Sequence, residues 1–126
     1  MYLVDTNILL FSLDHTEKLS PEIIDILQTE EILYVSVVSF WEIEIKRNLG
    51  KLKIPYNPIE LADYFLGQGY AIKDIRINHI ARLEQLPGIH GDPFDRLLIA
   101  QAIADNLTLL TADKVIPQYP VHCIRN

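Results

Sequence analysis

Four acidic residues stand where their spacing could support chemistry. Asp5 directly follows the first apolar run of the chain, and Asp113 comes two residues after the apolar run of residues 108–111. Glu42 and Asp95 lie in the first turns of two segments with helical periodicity. Several carboxylates in one place repel each other, and a divalent cation relieves that repulsion. Oxygen ligands suit Mg²⁺ or Mn²⁺, which polarise a phosphate and activate a bound water, so we expect phosphodiester hydrolysis.

The elements that must position these acids alternate between short apolar runs and longer segments of helical period. Strands are predicted at residues 2–4, 33–35, 70–72, 108–111 and 121–124, and helices at residues 6–13, 21–27, 38–48, 58–65, 78–85 and 93–105. Strands separated by helices imply parallel pairing through right-handed crossovers. We therefore predict an α/β fold, a three-layer sandwich with a mostly parallel central sheet, in a single domain of residues 1–126.

In an open parallel sheet, ligands bind beyond the carboxyl ends of the strands, which is the edge to which the four acids are delivered. Asp95 shares a helix face with Leu98, Ile99 and Ala102, so its side chain must point into this crevice or be buried.

Glu42 is predicted at the margin of an apolar helix stripe. That stripe consists of the residues at helical spacing, namely Val38, Trp41, Ile45 and Leu49. Lys46 is four residues further on and therefore adjacent to Glu42.

The same acids could instead be helix caps. Asp5 could cap the first helix, and Asp113 could begin a short turn. Ser39 and Glu42 fit the spacing of a capping box. Asp92 can cap the long helix that contains Asp95, which would then favour the positive end of that helix. Capping explains each acid singly, but it does not explain why all four meet at one edge.

The charge and composition constrain the class of protein. The formal net charge of −6 argues against a general nucleic-acid binder, although bound divalent ions would offset it. A basic cluster is either a binding patch or a solvated face; it comprises Lys46, Arg47, Lys51 and Lys53. The single cysteine, Cys123, is expected in the core and fits a reducing cytoplasm. We expect neither a membrane span nor a secretory signal.

Other chemistries find less support in the sequence. The four histidines lack paired ligand spacing, so zinc is not expected, and each is predicted on the surface or in a loop; they are His15, His79, His90 and His122. Neither a glycine-rich phosphate loop nor a serine-hydrolase motif is present. Asp5-Thr6-Asn7 is similar to the start of a haloacid-dehalogenase loop, but the second acid of that loop is missing. A small-molecule phosphatase with Asp5 as nucleophile remains an alternative.

Four motifs in order resemble those of PIN-domain proteins, specifically the VapC-type toxin ribonucleases of type II toxin–antitoxin modules. They are Val4-Asp5-Thr6-Asn7-Ile8-Leu9-Leu10, Val35-Ser36 through Ser39-Phe40-Trp41-Glu42-Ile43 with Lys46, His90-Gly91-Asp92-Pro93-Phe94-Asp95-Arg96-Leu97-Leu98-Ile99-Ala100, and Leu110-Thr111-Ala112-Asp113. The resemblance runs from end to end of the chain.

The resemblance implies an endoribonuclease that depends on Mg²⁺ or Mn²⁺, acts on RNA as a homodimer, and is blocked by a cognate antitoxin. It implies that the metal-binding acids are Asp5, Glu42, Asp95 and Asp113. It also implies that neighbouring residues orient those acids, namely Thr6, Asn7 and Thr111. Lys46 and Arg96 would meet substrate phosphates, or else form a salt bridge or stay solvated. A PIN-fold binding module that acts with an antitoxin in regulation, with little activity, is the alternative.

Overall fold

The computed structural model describes residues 1–30 and 32–126, and its elements alternate as the sequence predicts. The strands are β1 (Tyr2–Val4), β2 (Leu33–Ser36), β3 (Ala71–Lys73), β4 (Thr108–Thr111) and β5 (Cys123–Arg125). The helices are α1 (Thr6–Asp14), α2 (Pro21–Thr29), α3 (Val37–Asn48), α4 (Pro58–Gly67), α5 (Ile77–Arg82) and α6 (Pro93–Ala104). Predicted and observed boundaries agree or differ by at most three residues, and the differences at helix ends arise because those ends depend on caps that periodicity alone does not locate.

The five strands form one parallel sheet in the order β3-β2-β1-β4-β5. Leu3 and Val4 in the central strand are fully buried, as expected for a strand covered on both faces. One apolar cluster lies on each face of the sheet: Leu3 belongs to one and Val4 to the other. The predicted α/β sandwich is therefore confirmed, and its sheet is parallel throughout.

Helix starts follow the local signals in the sequence. The Ser20 hydroxyl accepts a hydrogen bond from the Ile23 amide ahead of Pro21, which begins α2. After α3, Gly50 adopts a φ of +72°, a left-handed conformation that ends the helix and that glycine reaches without steric cost.

The buried face of α3 differs from the predicted stripe. Trp41 is 53% exposed and Leu49 62% exposed, whereas Ser39 and Glu42 are buried beside Val38. The alternative in which Ser39 and Glu42 form a capping box is not observed, because Ser36 caps α3 and the Ser39 hydroxyl accepts a hydrogen bond from Thr6. Periodicity selects the most apolar stripe, but internal hydrogen bonding turns a more polar face inward.

None of the helices in residues 1–30 and 32–126 is both long and apolar enough to cross a membrane. Cys123 is partly buried and packs against one of the two apolar clusters, close to its expected place in the core.

Candidate metal centre

Asp5 is buried at the carboxyl end of the central strand. It is 2% exposed, and one carboxylate oxygen caps α1 by accepting from the Ile8 amide at 2.9 Å. The other oxygen accepts from the Ala112 amide at 3.2 Å, which ties β1 to the segment after β4. Burial raises the pKa of Asp5 to about 6, although hydrogen bonds from Thr111, Ile8 and Ala112 act in the opposite direction. Asp5 is thus both a cap and a member of the acidic edge.

Asp95 lies in the first turn of α6, and Leu98, Ile99 and Ala102 on the same face are buried, as predicted. Burial, followed by the charges of three neighbouring acids, raises the pKa of Asp95 to about 7; these acids are Asp92, Asp113 and Glu42. The positive end of a helix normally stabilises a carboxylate. At this position desolvation and like-charge repulsion are stronger.

Asp92 is the cap of α6, as the sequence predicts. Its Oδ1 accepts from the Phe94 amide at 2.8 Å and from the Asp95 amide at 3.3 Å. This oxygen is therefore hydrogen-bonded to the first amides of α6, and the negative charge of Asp92 contributes to the raised pKa of Asp95.

Asp113 follows β4, and its two carboxylate oxygens have different partners. Its Oδ1 accepts from the Val115 amide at 2.6 Å and so begins a short 3₁₀ turn. Its Oδ2 lies 2.9 Å from His90 Nε2. Burial would raise the pKa of Asp113, but the hydrogen bonds from His90 and Val115 outweigh it and hold that pKa below its ordinary value.

Thr111 lies between Asp5 and Asp113. Its hydroxyl accepts from the Asp113 amide at 2.9 Å and is hydrogen-bonded to the Asp5 carboxylate. It is fully buried at the end of β4.

Glu42 projects from α3 into the same region and is 4% exposed. Its Oε2 accepts from Lys46 Nζ at 2.7 Å, and this hydrogen bond is the main cause of the raised pKa of Lys46. Its Oε1 is buried without a hydrogen-bond partner, the one such side-chain atom among residues 1–30 and 32–126. A buried carboxylate oxygen in this state is costly unless a ligand satisfies it.

His90 is the site residue that the sequence prediction missed. It lies in the loop before α6, and its Nε2 is 3.0 Å from Asp95 Oδ2 and 2.9 Å from Asp113 Oδ2. Burial disfavours its charged form, but the hydrogen bond to Asp113 and the nearby acids outweigh burial and raise its pKa. His90 is the first residue of the third motif and stands two residues ahead of the α6 cap, and this place in the motif is the sequence signal that could have found it.

The prediction that every histidine is a surface or loop residue holds for His90, which lies in the loop before α6, but it is wrong for His79. This side chain is 1% exposed, and its Nε2 lies 2.8 Å from Asp105 Oδ2. A buried ion-pair partner outside the motifs leaves no periodic signal in the sequence.

Other predicted residues take different positions. Thr6 is buried, and its hydroxyl donates to Ser39 rather than to a carboxylate. Asn7 is exposed. The Arg96 guanidinium donates to the Pro87 carbonyl at 2.8 Å and to the Tyr119 hydroxyl at 3.1 Å, so it braces the loop before α6.

The residues present fit a divalent cation. His90, Asp95 and Asp113 offer ligand atoms that all lie within 4.8 Å of one another. Asp5 and Glu42 add charge to the same cluster, because Asp113 contributes to the raised pKa of Asp5 and Glu42 to that of Asp95. The pKa values of Asp5 and Asp95 are raised, and one Glu42 oxygen has no hydrogen-bond partner. These features indicate that the negative charge of the site is not matched by positive charge.

The fold and the site define a class: an α/β protein with a carboxylate cluster at the carboxyl edge of a parallel sheet. The chain belongs to the PIN domain family, whose model matches residues 2–121. The family resemblance predicted from the four motifs is thereby confirmed. A search of curated proteins finds no match.

Several solved structures share this fold. One is VapBC2 from Rickettsia felis bound to a DNA fragment from its promoter, with 20% identity and a TM-score of 0.73 over 98% of this chain and 97% of that chain. Another is DNA-bound VapBC from Salmonella typhimurium, with 14% identity and a TM-score of 0.73 over 98% of this chain and 96% of that one. FitAcB from Neisseria gonorrhoeae is 18% identical with a TM-score of 0.69, over 99% and 97% of the two chains.

Proposed function

We propose that this protein is a single-domain, metal-dependent endoribonuclease and the toxin of a toxin–antitoxin pair. PIN domains are generally nucleases that use divalent metal ions. The observation that carries the proposal is the uncompensated carboxylate cluster, in which the pKa of Asp5 is raised to about 6 and that of Asp95 to about 7. Folding has brought these acids together at a cost that an ion would offset.

Asp5, Glu42, Asp95 and Asp113 would hold Mg²⁺ or Mn²⁺. The bound ion would supply Lewis-acid chemistry, polarising the scissile phosphate and lowering the pKa of a water. Thr111 fixes Asp5 relative to Asp113, since it is hydrogen-bonded to the Asp5 carboxylate and to the Asp113 amide. The Lys46 ammonium orients Glu42 through their 2.7 Å hydrogen bond.

The toxin role rests on the family and on the structural relatives. Those relatives are VapBC and FitAB complexes, several of them bound to DNA. We propose by extension that this protein binds a cognate antitoxin, forms a homodimer and is located in the cytoplasm. The exposed Lys51 and Lys53 lie on the loop between α3 and α4, where they could contact RNA phosphates.

The test is cleavage of structured RNAs by purified protein, freed of any partner, with Mn²⁺, Mg²⁺ or EDTA. Wild-type protein should cut with either ion and stop in EDTA, and Asp95→Asn should lose at least ~10²-fold in rate, the scale of losing one main electrostatic contributor. Asp63→Asn is the matched control, because Asp63 is exposed on α4. Circular dichroism verifies the folding of each variant.

Folded wild-type protein that cuts no RNA with either ion would contradict the nuclease proposal. A binding module that acts through an antitoxin would then be the better account. Cleavage that Asp95→Asn retains would contradict the site, because the activity would belong elsewhere or to a contaminant.

A further inference from the structure

His90 joins two carboxylates that come from different elements. Asp95 belongs to α6 and Asp113 to the segment after β4, and His90 Nε2 lies 3.0 Å and 2.9 Å from their Oδ2 atoms. His90 Nε2 is hydrogen-bonded to Asp113 and in salt-bridge contact with Asp95. Among residues 1–30 and 32–126, no other side chain makes polar contacts with both acids. The imidazole therefore bridges these two carboxylates.

The backbone around His90 sets the tautomer of its ring. The Asp92 amide donates to Nδ1 at 3.1 Å, so Nδ1 uses its lone pair as an acceptor and carries no proton. In the neutral imidazole the ring proton is then on Nε2, which donates to Asp113 Oδ2. A metal ion needs a nitrogen lone pair, and in this arrangement Nε2 has none to offer.

The loop that carries His90 is itself anchored. The His90 amide donates to the Tyr119 hydroxyl at 2.6 Å, and Tyr119 is 4% exposed. Arg96 donates to the same hydroxyl and to the Pro87 carbonyl. Because the backbone and the ring of His90 are both held, its N–H is a fixed donor rather than a mobile surface group.

We propose that His90 is a positioning residue of the metal site, which holds Asp95 and Asp113 at the separation that a divalent cation requires without itself ligating that cation. This inference rests on the proposed metal-dependent function. The competing geometry makes His90 a nitrogen ligand, because its Nε2 lies within 4.8 Å of the carboxylate ligand atoms. The two geometries predict different metal preferences.

A nitrogen ligand would favour Mn²⁺ and later transition metals over Mg²⁺, whereas all-oxygen ligation discriminates less. A positioning residue affects all ions through the same carboxylates. Loss of such an outer hydrogen bond typically costs ~10–100-fold in metal affinity. We therefore expect His90→Ala to weaken Mg²⁺ and Mn²⁺ by a similar factor in that range, leaving the ratio of the two Kd values unchanged.

The experiment measures ion binding to the whole chain without RNA, by calorimetry for both ions and by pulsed electron paramagnetic resonance for Mn²⁺. The variants are His90→Ala, which removes the donor, and His90→Gln, which keeps an N–H at a similar reach. His122→Gln is the matched control, since His122 is exposed and precedes β5 at the opposite edge of the sheet. His90→Gln should recover most of the affinity lost in His90→Ala, and the wild-type Mn²⁺ spectrum should lack coupling to a directly bound nitrogen.

Four results would overturn the inference. Three of them concern His90→Ala or the wild-type spectrum, namely a directly bound nitrogen in that spectrum, a selective loss of Mn²⁺ affinity in His90→Ala, and affinities that His90→Ala leaves unchanged. The fourth is wild-type protein that binds neither ion. Failure of the nuclease proposal looks different: the ion binds as expected while folded protein cuts no RNA.

Discussion

Each end of α6 lies in a charged cluster that contains an aspartate and a histidine. The negative charge is matched by a lysine at one end, whereas further acids surround the aspartate at the other. At its C-terminal end, Asp105 lies 2.9 Å from Lys73 Nζ and 2.8 Å from His79 Nε2. At its N-terminal end, Asp95 lies beside three other acids, and His90 is shared with Asp113. In both His79 and His90, Nδ1 accepts a hydrogen bond from a backbone amide and Nε2 lies next to a carboxylate.

The pKa values record the difference between the two ends. Burial acts to raise the pKa of Asp105, but the hydrogen bonds from Lys73 and His79 outweigh it, so that pKa is lowered. Burial raises the pKa of Asp95 to about 7, and the neighbouring acids add to the effect. A balanced ionic cluster becomes costly when one partner is removed, whereas an unbalanced one indicates a place for a ligand.

The largest effect on stability is expected at the balanced end. Asp105→Asn leaves the buried His79 and the largely buried Lys73 without their carboxylate, which should lower the free energy of unfolding by about 3 kcal/mol. Urea denaturation of metal-free protein measures it. Ion binding should stay as in wild type, and a loss below about 1 kcal/mol would show that this pair is not a main support of the fold.

Added metal should act on the unbalanced end alone. Mg²⁺ or Mn²⁺ at about 100 times its Kd should stabilise wild-type protein by about 2.7 kcal/mol, because the ion binds the folded state. Thermal melting with and without EDTA measures this shift. Asp105→Asn should show the same shift and Asp95→Asn a much smaller one. Equal shifts in both variants would place the ion elsewhere.

The pH dependence of stability should differ between wild type and Asp95→Asn. A carboxyl whose pKa rises from 3.8 to about 7 on folding binds its proton more tightly in the folded state. Stability is therefore lost as the pH rises through this window, at about 1.4 kcal/mol per pKa unit. Asp95→Asn removes that loss, so in EDTA it should gain roughly 2 kcal/mol on wild type between about pH 4 and pH 8. This is about half of the full conversion, because solvent reaches the exposed 17% of the Asp95 side chain and screens its charge.

Urea denaturation across this pH range is the measurement. Asp63→Asn, at an exposed position, is the control and should follow wild type. A wild-type curve parallel to that of Asp95→Asn would mean that Asp95 is already balanced in the metal-free protein.

The smallest effect on the metal-free fold is expected at Glu42. Glu42→Gln removes the charge that pairs with Lys46, which is 41% exposed, and removes a repulsive neighbour of Asp95. These changes oppose each other, so the free energy of unfolding in EDTA should change by less than about 1 kcal/mol. Ion affinity measured by calorimetry should fall. Unchanged affinity would show that the unpartnered Glu42 oxygen does not contribute to the ion site.

Much of the fold could be predicted from the sequence because its signals are local. Apolar runs without polar alternation indicate buried parallel strands. Ser20-Pro21 indicates the start of a helix through local geometry, independently of tertiary contacts. The acids at strand ends and in first helix turns were identified because a parallel sheet collects them at one edge. Asp5 and Asp92 cap helices, and Asp113 accepts from two amides at the start of the short turn that follows it, alongside the places of Asp5 and Asp113 in the cluster.

The order of chain elements and the identity of the acids were thus determined by the sequence alone, because turn chemistry and hydrophobic period act over a few residues. The rotation of α3 was decided by tertiary structure, since the Ser39 hydroxyl pairs with Thr6 across 33 positions and turns Trp41 outward. The place of His90 was decided in the same way, because its partner Asp113 lies 23 residues away. Such contacts depend on how the elements pack, and no spacing within one element encodes them.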